Sequence, residues 1–386
     1  MTKCPRCFSF LRGDRFAWMV DPRIPGPRFR DADASVFYGA EIMSPQIYNV
    51  ARPPGYRGPL HTAADASQAL GSQPVVEICT ICHFVLPEGW RQGLAICIAM
   101  AGARATGKSI YIAVLIKQLE LLCESLGVAM EPANASAAQA YAINYETPLY
   151  IQRGLIPPTP TAQIQPPHQR EPLTFSIGAW NGVRRFVVLR DVAGEDLEAG
   201  NTYAMHFRFF ANADAVFFMF DPLRIKGIRD QLQDLLPQQG WGGGDPRSVL
   251  SNVLLAVGSG QPRLAVIVSK FDALRALRDV EGSDWSYVMS NSGASYLRDT
   301  PTSRQYDEAD GQLLHAEVRS LLLRLHGGAI VTAVENPSTG VPLPHRYFVV
   351  SALGQPPVGN QLNARGIAPF RCADPLRWVT TGYKVL

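Results

Sequence analysis

The chain has 386 residues, of which 47% are hydrophobic and 18% charged, enough for a large domain with a substantial core plus a smaller module. Its formal net charge of +3 is too small to indicate a nucleic-acid or membrane partner from charge alone. No stretch approaches the ~18 apolar residues of a membrane-spanning helix, and the first residues lack the apolar core of a signal peptide, so we expect a cytoplasmic protein without a transmembrane segment.

Two CxxC pairs distinguish the first 90 residues from the rest of the chain. The four cysteines are Cys4, Cys7, Cys79 and Cys82. Four thiolates in two tight turns suit a structural Zn²⁺ site, and a redox dithiol is the alternative. We therefore predict a zinc-ribbon-like module over residues 1–90. It would carry a long insertion, residues 8–78, in which residues 21–58 show no clear helical or strand period.

From about residue 92 onward, short apolar runs alternate with helical patterns, which predicts βαβ units and a mostly parallel sheet. The strand candidates are residues 94–100, 173–177, 185–190, 215–220, 264–269 and 347–351. The helix candidates are residues 108–125, 225–236 and 311–325, with a C-terminal helix near residues 374–379. Residues 154–167 and 238–246 are predicted loops, and residues 282–306 a polar insert. The pattern predicts an α/β domain over residues 91–386 with a C-terminal helical extension.

A GxxxxGKS sequence lies between the first predicted strand and the first predicted helix. Its residues are Gly102, Ala103, Arg104, Ala105, Thr106, Gly107, Lys108 and Ser109. The glycines allow backbone N–H groups to converge on phosphate oxygens at the start of a helix. Lys108 would reach the β- and γ-phosphates, and Ser109 would ligate Mg²⁺. The pattern predicts a nucleotide-binding phosphate loop.

Three further motifs occur in chain order, each near the end of a predicted strand. They are Asp191-Val192-Ala193-Gly194-Glu195 (DxxG), Ser269-Lys270-Phe271-Asp272 (close to [NT]KxD) and Ser351-Ala352-Leu353 (close to SA[KL]). Together with the phosphate loop, they make residues 92–355 resemble the TRAFAC class of P-loop GTPases. The departure is Ser269, where the class has Asn or Thr.

The resemblance implies a Ras-like sheet, mostly parallel and flanked by helices, in which the strand near residues 173–177 runs antiparallel. Asp191 would hold Mg²⁺, and the Gly194 N–H would meet the γ-phosphate. Asp272 would accept hydrogen bonds from guanine N1–H and the exocyclic amine, while Lys270 packs over the base. Because adenine lacks that donor pair, it would leave Asp272 unpaired. An ATPase that uses the same phosphate loop is the alternative.

GTPases of this class also place a threonine between the phosphate loop and the DxxG strand, where it caps Mg²⁺ and senses the γ-phosphate. The segment 154–161 offers Thr159 and Thr161, and we favour Thr159. The alternative is a proline-rich surface loop whose threonines have no role. Because the stretch from Ser109 to Thr159 is long, we expect an inserted helix within it.

Hydrolysis would depend on Lys108, Thr159 and the residue after DxxG, which is Glu195. Glu195 could orient the attacking water, or it could repel the γ-phosphate and slow turnover until a partner binds. Arg104 or Arg153 could stabilise charge in cis, and the simpler interpretation of both is a solvated surface arginine.

The CxxC knuckle, the proline-rich threonine segment, DxAGE and a C-terminal PLxW sequence also resemble bacterial GTPases of conflict systems, of the double-GTPase type. That resemblance implies a role in antiphage defence with protein partners from the same system. We predict a switch that hydrolyses GTP to GDP; the alternative is a nucleotide-binding zinc scaffold with negligible turnover. Residues 1–60 contain nine basic side chains against five acidic ones. Because this basic excess is slight, nucleic-acid binding is less favoured.

Overall fold

A seven-stranded sheet forms the centre of the molecule in the computed structural model, which describes residues 2–58, 61–200, 205–232, 244–280, 284–299 and 306–383. The strands are β1 Arg15–Val20, β2 Phe29–Arg30, β3 Met43–Ser44, β4 Ile47–Ala51, β5 Val75–Ile78, β6 Leu94–Ala101, β7 Glu131–Pro132, β8 Leu173–Trp180, β9 Val183–Asp191, β10 Ala215–Phe220, β11 Arg263–Val268 and β12 His345–Val349. The large sheet has the order β12-β11-β10-β6-β9-β8-β7.

Helices flank this sheet. They are α1 Ala32–Tyr38, α2 Ala63–Ala69, α3 Lys108–Ser125, α4 Ala135–Tyr141, α5 Gly194–Glu198, α6 Lys226–Leu232, α7 Pro246–Val257, α8 Phe271–Leu274, α9 Trp285–Met289, α10 Glu308–Arg324, α11 Gly328–Glu335 and α12 Asp374–Thr380. A π-helix covers Ala142–Ile151, and short 3₁₀ turns cover Trp90–Gln92, Pro167–Gln169, Met205–Asn212, Pro222–Arg224, Arg275–Asp279, Ser295–Leu297 and Thr381–Tyr383. Among the described residues, no helix is both long and apolar enough to cross a membrane.

The predicted mostly parallel α/β sheet is confirmed. Strands β9, β6, β10, β11 and β12 run parallel to one another, whereas β8 pairs antiparallel with β9. Every residue of β10 is buried, and β6 is buried from its second residue onward. Such continuous apolar strands are typical of a parallel sheet covered on both faces.

Residues 21–58, where the sequence shows no clear helical or strand period, contain β2, α1, β3 and β4. These elements are only two to seven residues long, so their period is too short to detect. Helix α1 begins where the Asp31 carboxylate accepts a hydrogen bond from the Ala34 N–H, an N-cap that lowers the free energy of a short helix. Strands β4, β1 and β5 form a second, antiparallel sheet within the insertion.

Several predicted boundaries also differ. Helix α10 begins at Glu308 rather than residue 311, because Asp307 caps it through the N–H groups of Ala309 and Asp310. The helix predicted over 225–236 begins at Lys226 and is described to Leu232; its predicted end lies outside the described residues. The predicted loop 238–246 lies largely outside them too, and its last residue opens α7. The predicted insert 282–306 contains α9.

The amino-terminal residues pack directly on the large sheet. Phe8 meets Phe209 edge to face, with ring centroids 5.2 Å apart, and Trp90 stacks on Phe186 at 4.4 Å. Lys3 Nζ lies 2.6 Å from an oxygen of Asp214, which precedes β10. The four cysteines of the CxxC pairs are therefore part of the same hydrophobic core as the sheet.

Candidate nucleotide site and cysteine centre

A cleft of about 500 Å³ opens at the carboxyl ends of the parallel strands, where open α/β sheets bind ligands. Its lining includes residues 104–111, 155–159, 194–195, 269–270, 272 and 352–353. These residues come from the phosphate loop, the proline-rich threonine segment and the three further motifs. The fold thus brings together five segments that the sequence separates by up to about 250 residues.

The phosphate loop has the backbone that its glycines allow. Gly102 has φ +142, and a Cβ there would lie 2.1 Å from the main-chain oxygen of Met219. Gly107 has φ +84 and opens helix α3. Lys108 Nζ donates hydrogen bonds to the main-chain oxygens of Gly102 at 2.8 Å and Ala103 at 3.1 Å. Burial lowers the pKa of Lys108, and the negative charges of Asp191 and Glu198 oppose that shift.

The three residues predicted to hold Mg²⁺ are connected through Thr159, which contacts each of the other two. The hydroxyl oxygens of Ser109 and Thr159 lie 3.2 Å apart, and Thr159 Oγ1 donates to Asp191 Oδ2 at 2.6 Å. Asp191 Oδ1 is buried and has no hydrogen-bond partner among the described residues. Burial raises the pKa of Asp191, while Lys108 and the bond from Thr159 lower it. Hydroxyl and carboxylate oxygens are ligands that Mg²⁺ accepts, directly or through water, so these residues fit the ion.

The segment Ser269–Asp272 is braced from two sides. Ser351 Oγ donates to Asp272 Oδ1 at 2.6 Å. Ser269 Oγ donates to the main-chain oxygen of Phe220 at 2.8 Å, so the shorter hydroxyl still ties this loop to the end of β10. Lys270 Nζ pairs with Asp221 Oδ2 at 2.7 Å. Asp221 was missed by the sequence analysis, although an acidic residue directly after a buried strand was a usable signal.

Two glutamates of α5 contact the phosphate loop. Glu195 Oε1 lies 3.2 Å from Arg104 Nη1, and both side chains are partly exposed. Glu198 Oε1 accepts a hydrogen bond from the Arg104 backbone N–H at 2.7 Å. No sequence pattern singled out Glu198, because its partner is a main-chain group. The other arginine considered, Arg153, is exposed, and the lining of the cleft does not include it.

The four cysteine sulfurs form a compact, buried cluster. All four lie within 4.8 Å of one another, with Cys4 and Cys82 at 3.6 Å and Cys7 and Cys79 at 3.7 Å. A tetrahedral Zn²⁺ with Zn–S bonds of about 2.3 Å would separate its sulfurs by about 3.8 Å. The cluster therefore fits a structural zinc ion. Cys97, Cys123 and Cys372 are buried single thiols.

A hydrogen-bonded path joins the cysteine cluster to the segment after Thr159. Arg6 donates to the main-chain oxygens of His168 and Arg170. Arg170 in turn donates to the main-chain oxygen of Pro160, and the Asp196 carboxylate accepts from the Ala162 N–H. The position of the threonine segment thus depends on contacts from both the cysteine module and α5.

The sheet and the cleft define a mixed α/β protein with a mostly parallel sheet and a possible four-cysteine metal centre. A family model, the ESX-1 scaffolding and assembly protein SaeC N-terminal domain, matches residues 14–77. A Mycolicibacterium smegmatis protein is 66% identical over 386 residues and covers 100% of both chains; its provisional name is ESX-1 scaffolding and assembly protein SaeC. The chain belongs to the SaeC family.

Similar solved structures include the Saccharomyces cerevisiae Ski7 GTPase-like domain bound to GTP, with 8% identity and a TM-score of 0.32. The same domain bound to GDP and inorganic phosphate has 9% identity and a TM-score of 0.27. This chain covers 51% and 43% of those chains, and likeness at this level carries no functional argument. The predicted resemblance to conflict-system GTPases was wrong, because the 66% identical relative is named as an ESX-1 scaffolding and assembly protein. The predicted role in antiphage defence therefore has no support.

Proposed function

We propose that this protein is a guanine-nucleotide-binding scaffold whose nucleotide state controls its contacts with partner proteins in ESX-1 assembly. The observation that carries the proposal is the contact of Ser109, Thr159 and Asp191 beside the phosphate loop. These oxygens come from three separate segments, and a Mg²⁺ ion that bridges nucleotide phosphates requires such a grouping. The assembly role is carried over from the name of the 66% identical relative.

The preference for guanine rests on Asp272. Ser351 donates to its Oδ1 and so orients the carboxylate, and each of the two oxygens keeps a lone pair for a base that offers paired donors. The test is calorimetric titration with GDP, a non-hydrolysable GTP analogue and ATP, each with Mg²⁺. We expect guanine nucleotides to bind, ATP to be silent, and Asp272→Asn to weaken binding by at least about tenfold.

Asp279→Asn is the matched control, since Asp279 pairs with Arg278 and both side chains are 61% exposed. Guanine binding should be unchanged in this variant. Equal binding of ATP by the wild type would instead support the ATPase alternative. An Asp272→Asn variant that binds like the wild type would remove this loop from base recognition.

Hydrolysis is proposed to be slow in the isolated protein. Glu195, at the position that would orient water, is paired with Arg104 and carries a charge of the same sign as the γ-phosphate. Single-turnover GTP hydrolysis should be faster than in Lys108→Ala, and faster again with the correct partner. A wild-type rate equal to that of Lys108→Ala under both conditions would leave the scaffold with negligible turnover.

The scaffold role itself is tested by co-purification from the native bacterium with tagged chain held in GDP or in the GTP analogue. ESX-1 components identified by mass spectrometry should be enriched in one nucleotide state over the other. Enrichment without any nucleotide dependence would support the scaffold role and reject its control by nucleotide.

The proposed zinc ion would have a structural role only, because a site closed by four thiolates leaves no open coordination position for catalysis.

A further inference from the structure

The side chain of Glu198 lies on the phosphate loop. It is the last residue of α5, and its Oε1 accepts the Arg104 backbone N–H at 2.7 Å. Backbone N–H groups of such a loop are the donors that phosphate oxygens use. A carboxylate therefore occupies one donor of a loop built for anions.

Two glycines mark where the backbone comes close to the loop and to Glu198. A Cβ on Gly194 would lie 2.3 Å from the Arg104 backbone nitrogen, so the start of α5 sits directly against the loop. A Cβ on Gly244 would lie 2.7 Å from Glu198 Cγ and 3.4 Å from its Oε1. Glu198 thus contacts the loop through Oε1 and lies close to Gly244 through its Cγ.

Glu198 also acts on Lys108 through its charge. Burial lowers the pKa of Lys108, and the negative charges of Asp191 and Glu198 oppose that shift. Lys108 is the residue that would neutralise the β- and γ-phosphates. The Glu198 carboxylate therefore interacts electrostatically with the Lys108 ammonium group, which would also bind the γ-phosphate of GTP.

We infer that Glu198 discriminates between the two guanine nucleotides by competing with the γ-phosphate for the phosphate loop. This inference rests on the proposed function. A carboxylate and a phosphate oxygen have the same sign of charge and use the same donors, so their juxtaposition at one backbone N–H is unfavourable. GDP lacks the third phosphate and leaves Glu198 on the Arg104 N–H, whereas GTP must displace it.

The inference makes the GDP state the resting state of the protein. Binding of GTP breaks the contact between Glu198 and Arg104, and α5 is then free to move relative to the loop. The energy of the γ-phosphate contacts is partly used to move Glu198, which lowers the affinity for GTP relative to GDP.

The first test compares wild type with Glu198→Gln, using fluorescence titration with GDP and with a non-hydrolysable GTP analogue. The variant removes the negative charge and keeps the shape. Affinity for the GTP analogue should rise by about tenfold, the scale of one charged hydrogen bond, while that for GDP changes by less than about twofold. Glu120→Gln on the outer side of α3 is the control for net charge, since Glu120 is 52% exposed and pairs with Lys117.

A second variant keeps the charge. Gly244→Ala places a methyl group 2.7 Å from Glu198 Cγ and should push the side chain off the loop. The ratio of GTP-analogue to GDP affinity should move in the same direction as in Glu198→Gln. If both nucleotides bind and neither variant changes the ratio, the inference is wrong. If the wild type binds neither nucleotide, the proposed function fails instead.

Discussion

Arg6 donates a hydrogen bond from Nη2 to the main-chain oxygen of Arg170 at 3.0 Å, across 164 residues of the chain. Arg6 lies between the two cysteines of the first CxxC pair, and Arg170 follows the proline-rich threonine segment. The guanidinium also stacks over the Phe84 ring at 4.3 Å and lies 3.5 Å from a Glu171 oxygen. The cysteine turn is therefore fastened to the chain that leads away from Thr159.

Replacing Arg6 should loosen that chain. In Arg6→Ala, backbone amides in residues 160–172 should exchange hydrogen about tenfold faster or more, because charged hydrogen bonds to main-chain oxygens are lost. Amides of α3 should be unaffected. Hydrogen exchange with mass spectrometry is the measurement, and Arg12→Ala is the control, since Arg12 is exposed and pairs with Asp14, two residues away. Equal exchange in both variants would show that Arg6 does not hold this segment.

The four-cysteine cluster makes a prediction about metal content. Wild-type protein should carry one zinc per chain by elemental analysis, and Cys4→Ser should lose most of it to a competing chelator. Loss of the ion should lower the free energy of unfolding by about 3 kcal/mol or more, because the cluster is part of the core. Cys123→Ser, which changes a buried thiol of α3 outside the cluster, should keep its zinc. Full zinc content in Cys4→Ser would rule out this ligand.

Thr159 and Thr161 provide a matched pair for testing the proposed Mg²⁺ site. Thr159→Ala removes the hydroxyl that contacts both Ser109 and Asp191, so affinity for a GTP analogue in Mg²⁺ should fall by about tenfold. Without Mg²⁺ the two proteins should bind alike. The same titrations on Thr161→Ala should resemble the wild type, and the reverse pattern would assign the role to Thr161.

Gly102 is predicted to tolerate no side chain. Gly102→Ala should lower the free energy of unfolding by about 3 kcal/mol or more and abolish nucleotide binding, because the new Cβ meets the Met219 main-chain oxygen at 2.1 Å. Gly340→Ala is the control: its φ is also positive, +110, but nothing lies within 4 Å of the added Cβ. That variant should lose only about 1–2 kcal/mol in chemical denaturation. Equal losses in the two variants would exclude the steric explanation.

The lowered pKa of Lys108 predicts a pH dependence in nucleotide-free protein. The folded state holds this proton less tightly than the unfolded chain, so the charged lysine destabilises the fold fully below its lowered pKa. That penalty disappears as pH rises through the lowered pKa toward 10.5. Relative to Lys108→Met, the wild type should therefore gain unfolding free energy between neutral pH and pH 10.5, the pKa of a free lysine. Urea denaturation at both values measures the difference, and a flat or falling difference contradicts the assignment.

The central sheet could be predicted from sequence because its strands are buried on both faces. The run 215–220 was predicted residue for residue, and α3 was predicted with both of its ends. A continuous apolar run followed by a glycine-rich loop is typical of a buried parallel strand, so the strand could be assigned from sequence. The small sheet of the insertion could not be found, since its strands are short and half-buried and carry no period.

Within the site, the segments that meet in the cleft could be singled out from sequence, because their motifs fix residue type and spacing; their roles toward nucleotide and metal stay predictions. The residues that position these segments could not be singled out. Asp221 pairs with Lys270, and Glu198 accepts a hydrogen bond from the Arg104 backbone N–H. Both contacts form only in the folded chain. The link from Arg6 to Arg170 likewise joins segments that no local pattern connects.

The insertion between the two CxxC pairs enters and leaves the molecule at neighbouring points. Strands β1 and β5 pair antiparallel with Ala17 opposite Ile78, which places the first strand of the insertion and its last residue about 5 Å apart, close to the second cysteine turn. The stretch matched by the SaeC family model, residues 14–77, lies wholly between the two cysteine turns.

Two residues inside the insertion also contact the second cysteine turn: Asp31 is hydrogen-bonded to His83, and the Tyr38 hydroxyl donates to the main-chain oxygen of Cys82. A change in the length or surface of the insertion is therefore expected to leave the cysteine turns in place only where these two contacts are kept.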